Sequence, residues 1–509
     1  MAQVLALSQA IAKTILPMST TNHTFRLASP RYTKVATPSA SWLIHAGVLV
    51  LWMALFAMAF RVTGLWAWAT GLAYVGYDTV LLVFVFVKTW KLTHAVARRD
   101  PHEGNCAQDA AKPSALASHV TLGVIVAAHN EAKVLPVTLA GLLNQEQPPE
   151  AILIADDGSS DTTAEVLLEH YGLAQPSLGD ISAISQKAPT IRWLRLPHQG
   201  KANALNQALG YISCDVVLTV DSDTLLETRA IASMRAAFDA DKSLVAATGV
   251  LTPICKPGAS GQLFQWFQTY EYIRNFLSRY AWMQLNSLLL ISGAFAGFRR
   301  RALLEVGGFD TDCLVEDYEL IHRMKRFSTF HDRAWTTAVI GEARATTEAP
   351  GDIMSFLRQR RRWFGGFLQT QYWYRDMVGD SRHGWLGVAM LPVKAVDTLQ
   401  PLYGLTAFFL LVYYLLTGNL LALIPVSGII GGKIAVDLAF HLWSVHLYKR
   451  WAEGANDANR PKANFKLAFL AALIEPFTFQ LLRHTGAAWG WWYFLTGKKR
   501  WDKQSRIGA

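Results

Sequence analysis

The residues with the greatest chemical capacity in this chain are acidic and occur in a set order. Asp156-Asp157-Gly158 closes one β-rich run and Asp161 opens the helix after it. Asp221-Ser222-Asp223 closes another run, Glu316-Asp317 comes next, and Gln359-Arg360-Arg361-Arg362-Trp363 follows. Carboxylates at strand ends stand where an α/β sheet receives its ligands. Two acidic residues at i and i+2 across a tight turn can offer oxygens to a hard cation, magnesium or manganese, which in turn binds phosphate oxygens. Taken alone, DDGSSD could equally cap a helix or make a turn. The ordered set is the informative feature, because this many carboxylates at strand ends are more than caps and turns require.

These side chains need a frame, and the pattern from Thr121 onward supplies one. The β-rich runs TLGVIVAAH, AILIADD, TIRWLRL, DVVLTVDSD and SLVAATGVL alternate with helical patterns over 133–144, 161–170, 201–212 and 229–238. Strand and helix in alternation predict a mostly parallel, doubly wound sheet with ligands beyond the carboxyl ends of its strands.

On either side of this unit the chain is apolar. Runs at 41–60 and 64–87 are each long enough to cross a hydrocarbon core of about 30 Å as a helix, and two more follow at 402–417 and 419–448. A further stretch at 466–482, broken by Glu475-Pro476, predicts a re-entrant hairpin or a span plus an interfacial helix. The organisation expected is therefore a segment 1–40, a transmembrane hairpin 41–87, a linker 88–118 and an α/β domain 119–350. Interfacial amphipathic helices follow at 351–400, transmembrane or re-entrant helices at 401–497 and a basic tail at 498–509, with four to six spans in all. Lys13, Arg26, Arg31 and Lys34 before the hairpin and Lys88, Lys91, Arg98 and Arg99 after it place both flanks, and the α/β domain, on the cytoplasmic side by the positive-inside rule. No cleaved signal peptide is expected.

Composition narrows the function further. The chain has 509 residues, is 51% hydrophobic and only 17% charged, which excludes an ordinary soluble globule. Its net charge of +10 would suit nucleic acid, but the excess lies at membrane flanks and in the 358–362 arginine cluster, which points to anionic lipid instead. Arg358, Arg360 and Arg361, interleaved with Phe356, Phe364 and Phe367, read as the headgroup-facing side of an amphipathic helix. Four cysteines without a C-x-x-C pair predict neither a zinc site nor a disulfide framework.

In order and spacing, D, D-x-D, (T/E)-D and Q-x-x-R-W resemble the signature of the processive, membrane-embedded family 2 glycosyltransferases, which include cellulose, hyaluronan and poly-N-acetylglucosamine synthases. The resemblance covers about residues 40–500 and implies a cytoplasmic GT-A domain, Rossmann-like and nucleotide-sugar-binding, on a bundle of transmembrane and interfacial helices in the inner membrane. It implies a UDP-sugar donor, UDP-N-acetylglucosamine or UDP-glucose, a growing glycan acceptor and inversion at the anomeric carbon. Ala127, His129 and Glu131 in AAHNEA would embrace the base, Asp156 and Asp157 would bond to it, and Lys201 would face the nucleotide. Asp221 and Asp223 would hold the metal, with Asp221 also on the nucleotide. Asp317, with Glu316 beside it, would be the general base, and Gln359, Arg362 and Trp363 would serve the diphosphate and the terminal sugar. Ser292 and Gly293 would form the acceptor loop, small and apolar here as in the amino-sugar synthases, with Glu271 a further candidate near the acceptor. The bilayer and accessory export subunits are the other partners implied, nucleic acid is not, and no cyclic-dinucleotide-binding domain is expected.

Two rival readings remain at this stage: a non-processive glycolipid synthase resembling ceramide glucosyltransferases, and a catalytically silent scaffold for an export complex. Lys433, Asp437 and His441, and Lys394 with Asp397, lie in or beside the predicted spans. They are either self-neutralised pairs or a polar lining for a glycan, with Tyr403, Tyr413, Tyr414 and Trp443 as candidate stacking surfaces.

Overall fold

The computed structural model describes residues 18–33, 35–97, 119–451 and 464–497. Most of the expected linker, the basic tail, Cys106 and the flanking cations Lys13, Lys34, Arg98, Arg99, Arg460 and Lys462 lie outside the described residues. A short helix, α1 (Met18–Ala28), precedes the first apolar helix, α2 (Ser39–Met58), and a 3₁₀ turn (Gly64–Trp68) leads into α3 (Ala69–Ala97). The sheet domain begins with β1 (Leu122–Ala128), α4 (Leu135–Leu143), β2 (Ala151–Asp157), α5 (Thr163–Tyr171), β3 (Ile191–Leu196) and α6 (Lys201–Ala208). It continues through β4 (Val216–Asp221), β5 (Thr224–Leu226), α7 (Ala230–Ala240), β6 (Leu244–Ile254) and α8 (Ala259–Met283). Then come β7 (Phe295–Arg299), α9 (Arg300–Glu305), α10 (Glu316–Phe330) and β8 (Thr336–Glu348). The remaining helices are α11 (Ile353–Trp373), α12 (Leu391–Thr417), α13 (Leu420–Trp451), α14 (Phe465–Ile474) and α15 (Phe479–Leu495).

One eight-stranded sheet, in the order β3-β2-β1-β4-β7-β6-β8-β5, forms the core of the soluble part. Strands β1 to β4 are parallel neighbours, and their apolar runs are buried along nearly their whole length, as a sheet covered by helices on both faces requires. Beyond β4 the sheet turns mixed, with β7 antiparallel to both β4 and β6. Register explains the position of the acidic motifs: Ala127 of β1 pairs with Asp221 of β4, and Ala128 pairs with Asp156 of β2. The carboxyl ends of the central strands therefore open on one edge and carry His129, Asp157 and Asp221 side by side.

Among the described residues four helices are long and apolar enough to cross a membrane: Ser39–Met58, Gly64–Trp90, Leu386–Thr417 and Leu420–Lys449. A pair bent by 47°, Phe465–Phe477 with Phe479–Leu495, makes a fifth if counted as one broken span. The sequence predicts four to six spans, with the third from residue 402; the third apolar helix here starts well before that residue. Its helix begins at Leu391 with Pro392 in the first turn, where the missing N–H removes no bond. The Lys394–Asp397 pair, closed at 2.7 Å, breaks the apolar run in the sequence and conceals this start.

Helix α11, which carries Gln359, Arg362 and Trp363, crosses α15 at close range. A Cβ on Gly490 would lie 2.8 Å from the Cβ of Phe364, and one on Gly486 would lie 2.6 Å from the Cβ of Arg360. Small residues four apart are what such an approach needs, and they tie α11 to α15.

Candidate functional site

A cavity of about 860 Å³ opens at the carboxyl edge of the sheet. Its wall includes Ala127, His129, Glu131, Asp157, Lys201, Asp221, Asp223, Ser292, Gly293, Glu316, Asp317, Gln359, Arg362 and Trp363, so all but one of the site residues read from the sequence meet in one space. The exception is Asp156. Its carboxylate is buried and accepts from the Ser159 N–H at 2.8 Å and the Trp193 Nε1–H at 3.2 Å. It shapes the turn after β2 rather than facing a nucleotide.

Asp157 does reach the cavity, held by the loop that follows β3. Its carboxylate accepts from the backbone N–H groups of Gln199 and Gly200 and lies 2.8 Å from His198 Nδ1. The rings of His129 and His198 stack with centroids 4.2 Å apart. His198, Gln199 and Gly200 were missed in the sequence, although LPHQGK at the end of β3 obeys the same strand-end rule that identified Asp157.

On the cavity wall Lys201 bridges two acidic motifs. From the first turn of α6 its Nζ reaches Asp221 at 2.5 Å and Glu316 at 3.7 Å. Burial works to lower its pKa, but Asp221, Glu316 and Asp317 outweigh that and hold it above the ordinary lysine value. Glu316 is raised, by burial first and by the charge of Asp317, with Lys201 and Arg362 opposing. One ammonium thus lets several carboxylates share a small volume.

Asp317 is fixed by backbone donors: Oδ2 accepts from the Gly293 N–H at 2.7 Å and Oδ1 from the Tyr318 N–H at 2.8 Å. Space at Gly293 is tight, since a Cβ there would stand 3.0 Å from Asp317 Oδ2 and press on the carboxylate. Asp317 and Trp363 both belong to the cavity wall.

The arginine cluster corrects the lipid reading. Arg358 is exposed, but Arg360 is buried, 2.7 Å from Glu271, and lies over the rings of Phe356 and Trp363 at 4.5 and 4.4 Å. Arg361 stacks on Trp489 and Tyr493 of α15. These two guanidiniums brace α11 from inside the protein. Glu271 lines the cavity, yet its carboxylate is taken by Arg360 and by Arg483 at 3.5 Å.

The cavity does not stop at the sheet. Asp78 of α3, Lys394, Asp397, Gln400 and Pro401 of α12, and Arg483 and His484 of α15 belong to the same wall. Lys433 and Asp437 are outside it, but Lys433 lies 2.7 Å from Asp78 and also pairs with Asp437. Tyr403, Tyr413, Tyr414 and Trp443 are not on the wall either. Tyr403 and Tyr414 donate to backbone carbonyls of the first helices, Tyr413 is exposed, and Trp443 stacks on Trp90. Aromatic lining comes instead from Tyr272, Phe276, Trp282, Tyr318, Phe364 and Phe367.

Residues 123–307 match the model described as Glycosyl transferase family 2, and residues 216–425 match Glycosyl transferase family group 2. Among curated proteins, a poly-beta-1,6-N-acetyl-D-glucosamine synthase of Staphylococcus epidermidis is 26% identical over 59% of this chain and 66% of its own length. A second, from strain ATCC 35984 of that species, is 28% identical over 50% and 56%, and one from Staphylococcus aureus is 28% identical over 48% and 53%. The matched region spans about half to two thirds of the length of these relatives. Among solved structures, a mannosyltransferase, PcManGT, from Pyrobaculum calidifontis, in complex with GDP-Man and Mn2+, is 17% identical. Its alignment has a TM-score of 0.46 and covers 78% of this chain and 99% of that one. Between them the two family models run through the sheet, the Asp317 helix and the helix of Arg362 and Trp363, so residues 123–425 carry a family 2 glycosyltransferase region, similar to that of the polysaccharide synthases named above.

Proposed function

We propose that the chain is a processive, inverting glycosyltransferase that polymerises a β-linked exopolysaccharide from a UDP-sugar and passes the product through its helical bundle across the inner membrane. One observation carries this reading: the cavity that holds Asp221, Asp317 and Trp363 also holds Asp78, Gln400 and Arg483 of the apolar helices. A single space would then serve bond formation and the first part of the exit path. Among the two donors considered, UDP-N-acetylglucosamine is favoured over UDP-glucose by the small Ser292-Gly293 loop and by the relatives named above.

In this reading His129, Glu131, Asp157 and His198 hold the base, while Lys201 and Arg362 receive the diphosphate. Asp317 takes the proton of the acceptor hydroxyl as that oxygen bonds to the anomeric carbon. The bond from that carbon to the diphosphate oxygen breaks, UDP leaves, and the configuration inverts. The glycan end rests on the indole of Trp363, which Arg360 backs from the other side.

The residues present fit a divalent cation. Asp221 and Asp223, two residues apart on one cavity wall, form the all-oxygen set that magnesium or manganese prefers, whereas His129, Asp157 and His198 offer a mixed nitrogen and oxygen set. When bound at Asp221 and Asp223, the cation supplies charge stabilisation to the departing diphosphate.

Incubating the detergent-purified protein with a panel of radiolabelled nucleotide sugars and sizing the product tests the proposal. A long, β-linked product from UDP-N-acetylglucosamine supports it; a single sugar on a lipid would instead support the glycolipid alternative.

A further inference from the structure

Helix α8 sends one face into the cavity at helical spacing: Tyr272, Asn275, Phe276, Arg279 and Trp282 all line it. Arg279 is the anomaly on that face. Its Nε and Nη1 are inaccessible to water and have no hydrogen-bond partner among the described residues, and no ion pair is formed. The guanidinium rests 4.5 Å over the ring of Phe276. Burial lowers its pKa to about 10, with Tyr272 and Asp317 acting in the opposite direction. The contrast with its neighbours is instructive, since Arg360 and Arg483 on the same wall both have Glu271. The residue as a whole is only half-buried, so part of the guanidinium is open to the cavity, and a ligand bonded there would offset the cost of the enclosed, unpaired donors.

The position of Arg279 says which end of the substrate that ligand is. The diphosphate end already has Lys201 and Arg362. Arg279 lies on the same cavity wall as Ser292 and Gly293, whose backbone holds the proposed base, and it feels the charge of Asp317. We infer that Arg279 is an acceptor-binding residue that donates its guanidinium fork to an exocyclic oxygen of the terminal sugar, an acetamido carbonyl or a carboxylate, and so selects which glycans are extended. The ring of Phe276 under the guanidinium is an apolar surface that suits the methyl of an acetamido group. This inference rests on the proposed glycan-extending activity.

The test measures extension of short acceptors by the purified enzyme: an oligosaccharide of N-acetylglucosamine, its de-N-acetylated form, and a glucuronate-terminated form. Variants are Arg279→Lys, Arg279→Gln and Arg279→Ala, and calorimetric binding of UDP certifies that each variant is folded. Wild type should prefer an oxygen-bearing acceptor over the de-N-acetylated one by about 10- to 100-fold in kcat/KM, the scale of one charged hydrogen bond. The Gln and Ala variants should lose most of that preference through acceptor KM, and Lys should recover it only in part, because it lacks the planar fork. Preference for the acetylated over the glucuronate form assigns the carbonyl, and the reverse assigns the carboxylate. Equal discrimination by wild type and by UDP-binding variants would overturn the inference. Failure of wild type to extend any acceptor would instead overturn the proposed function itself.

Discussion

Replacing Asp317 by Asn removes the proposed proton acceptor while keeping the shape of the side chain, and its consequence can be worked from the geometry. The two carboxylate oxygens accept from Gly293 N–H at 2.7 Å and Tyr318 N–H at 2.8 Å. An amide retains one acceptor, so its NH₂ must face one of those two donors, at a local cost of about 1–3 kcal/mol. Loss of a general base lowers the rate by about 10²- to 10⁴-fold, or ~3–5 kcal/mol of barrier. The base end of the cavity, at Asp157 and His198, makes no contact with this pair, so UDP affinity should stay within about threefold. The assay is UDP release under saturating donor, with UDP binding by calorimetry on the same preparation. Turnover within tenfold of wild type would refute Asp317 as the base and direct attention to Glu316 beside it. Loss of UDP binding would show that the loop, not the proton transfer, had been disturbed.

Three other outcomes follow from the same structure. Gly293→Ala sets a Cβ at 3.0 Å from Asp317 Oδ2 and should cut kcat about 10-fold with little change in UDP affinity, since a displacement near 1 Å can cost 10²-fold; unchanged kcat contradicts the fit. Gly490→Leu overfills the crossing of α11 and α15, where a Cβ alone is 2.8 Å from Phe364, and should lower the Tm in detergent by the equivalent of 1–3 kcal/mol or more on the scale of overpacked cores, roughly. Lys325, buried with its Nζ on Asn286, has its pKa lowered by burial to about 7 from 10.5. The unfolded chain therefore binds more protons between those values and native stability rises with pH there, by about 2–3 kcal/mol from pH 7 to 9. Thermal unfolding across that range should show wild type gaining on Lys325→Met; a constant difference between the two contradicts the burial of an ammonium.

Much of the site was legible because it obeys local rules. Asp157, Lys201, Asp221 and Asp317 lie at strand ends or helix starts, and strand register then brings them together. Asp156 was misread because adjacent aspartates are indistinguishable in a sequence, whereas alternation along β2 turns one toward Trp193 and the other toward the cavity. Strands β5, β7 and β8 escaped notice for different reasons. β5 is only three residues long, β7 opens within the small apolar stretch SGAFAGF, and β8 alternates buried and half-exposed residues through TTAVIGEARATTE, which reads as polar on average. The arginines at 360 and 361 looked like a headgroup-facing surface because their partners, Glu271 and Trp489, are far away in sequence. Arg279 could not have been singled out at all, since what distinguishes it is the lack of a partner in three dimensions.

The claim on which the rest depends is that one continuous space joins transfer to export, and sealed vesicles test it most directly. The protein is reconstituted so that the α/β domain faces the outer solution, UDP-N-acetylglucosamine and magnesium or manganese are added outside, and a hydrolase specific for the product is then applied. The account predicts a long glycan that resists the hydrolase until detergent opens the vesicles. A product digested completely without detergent would contradict it.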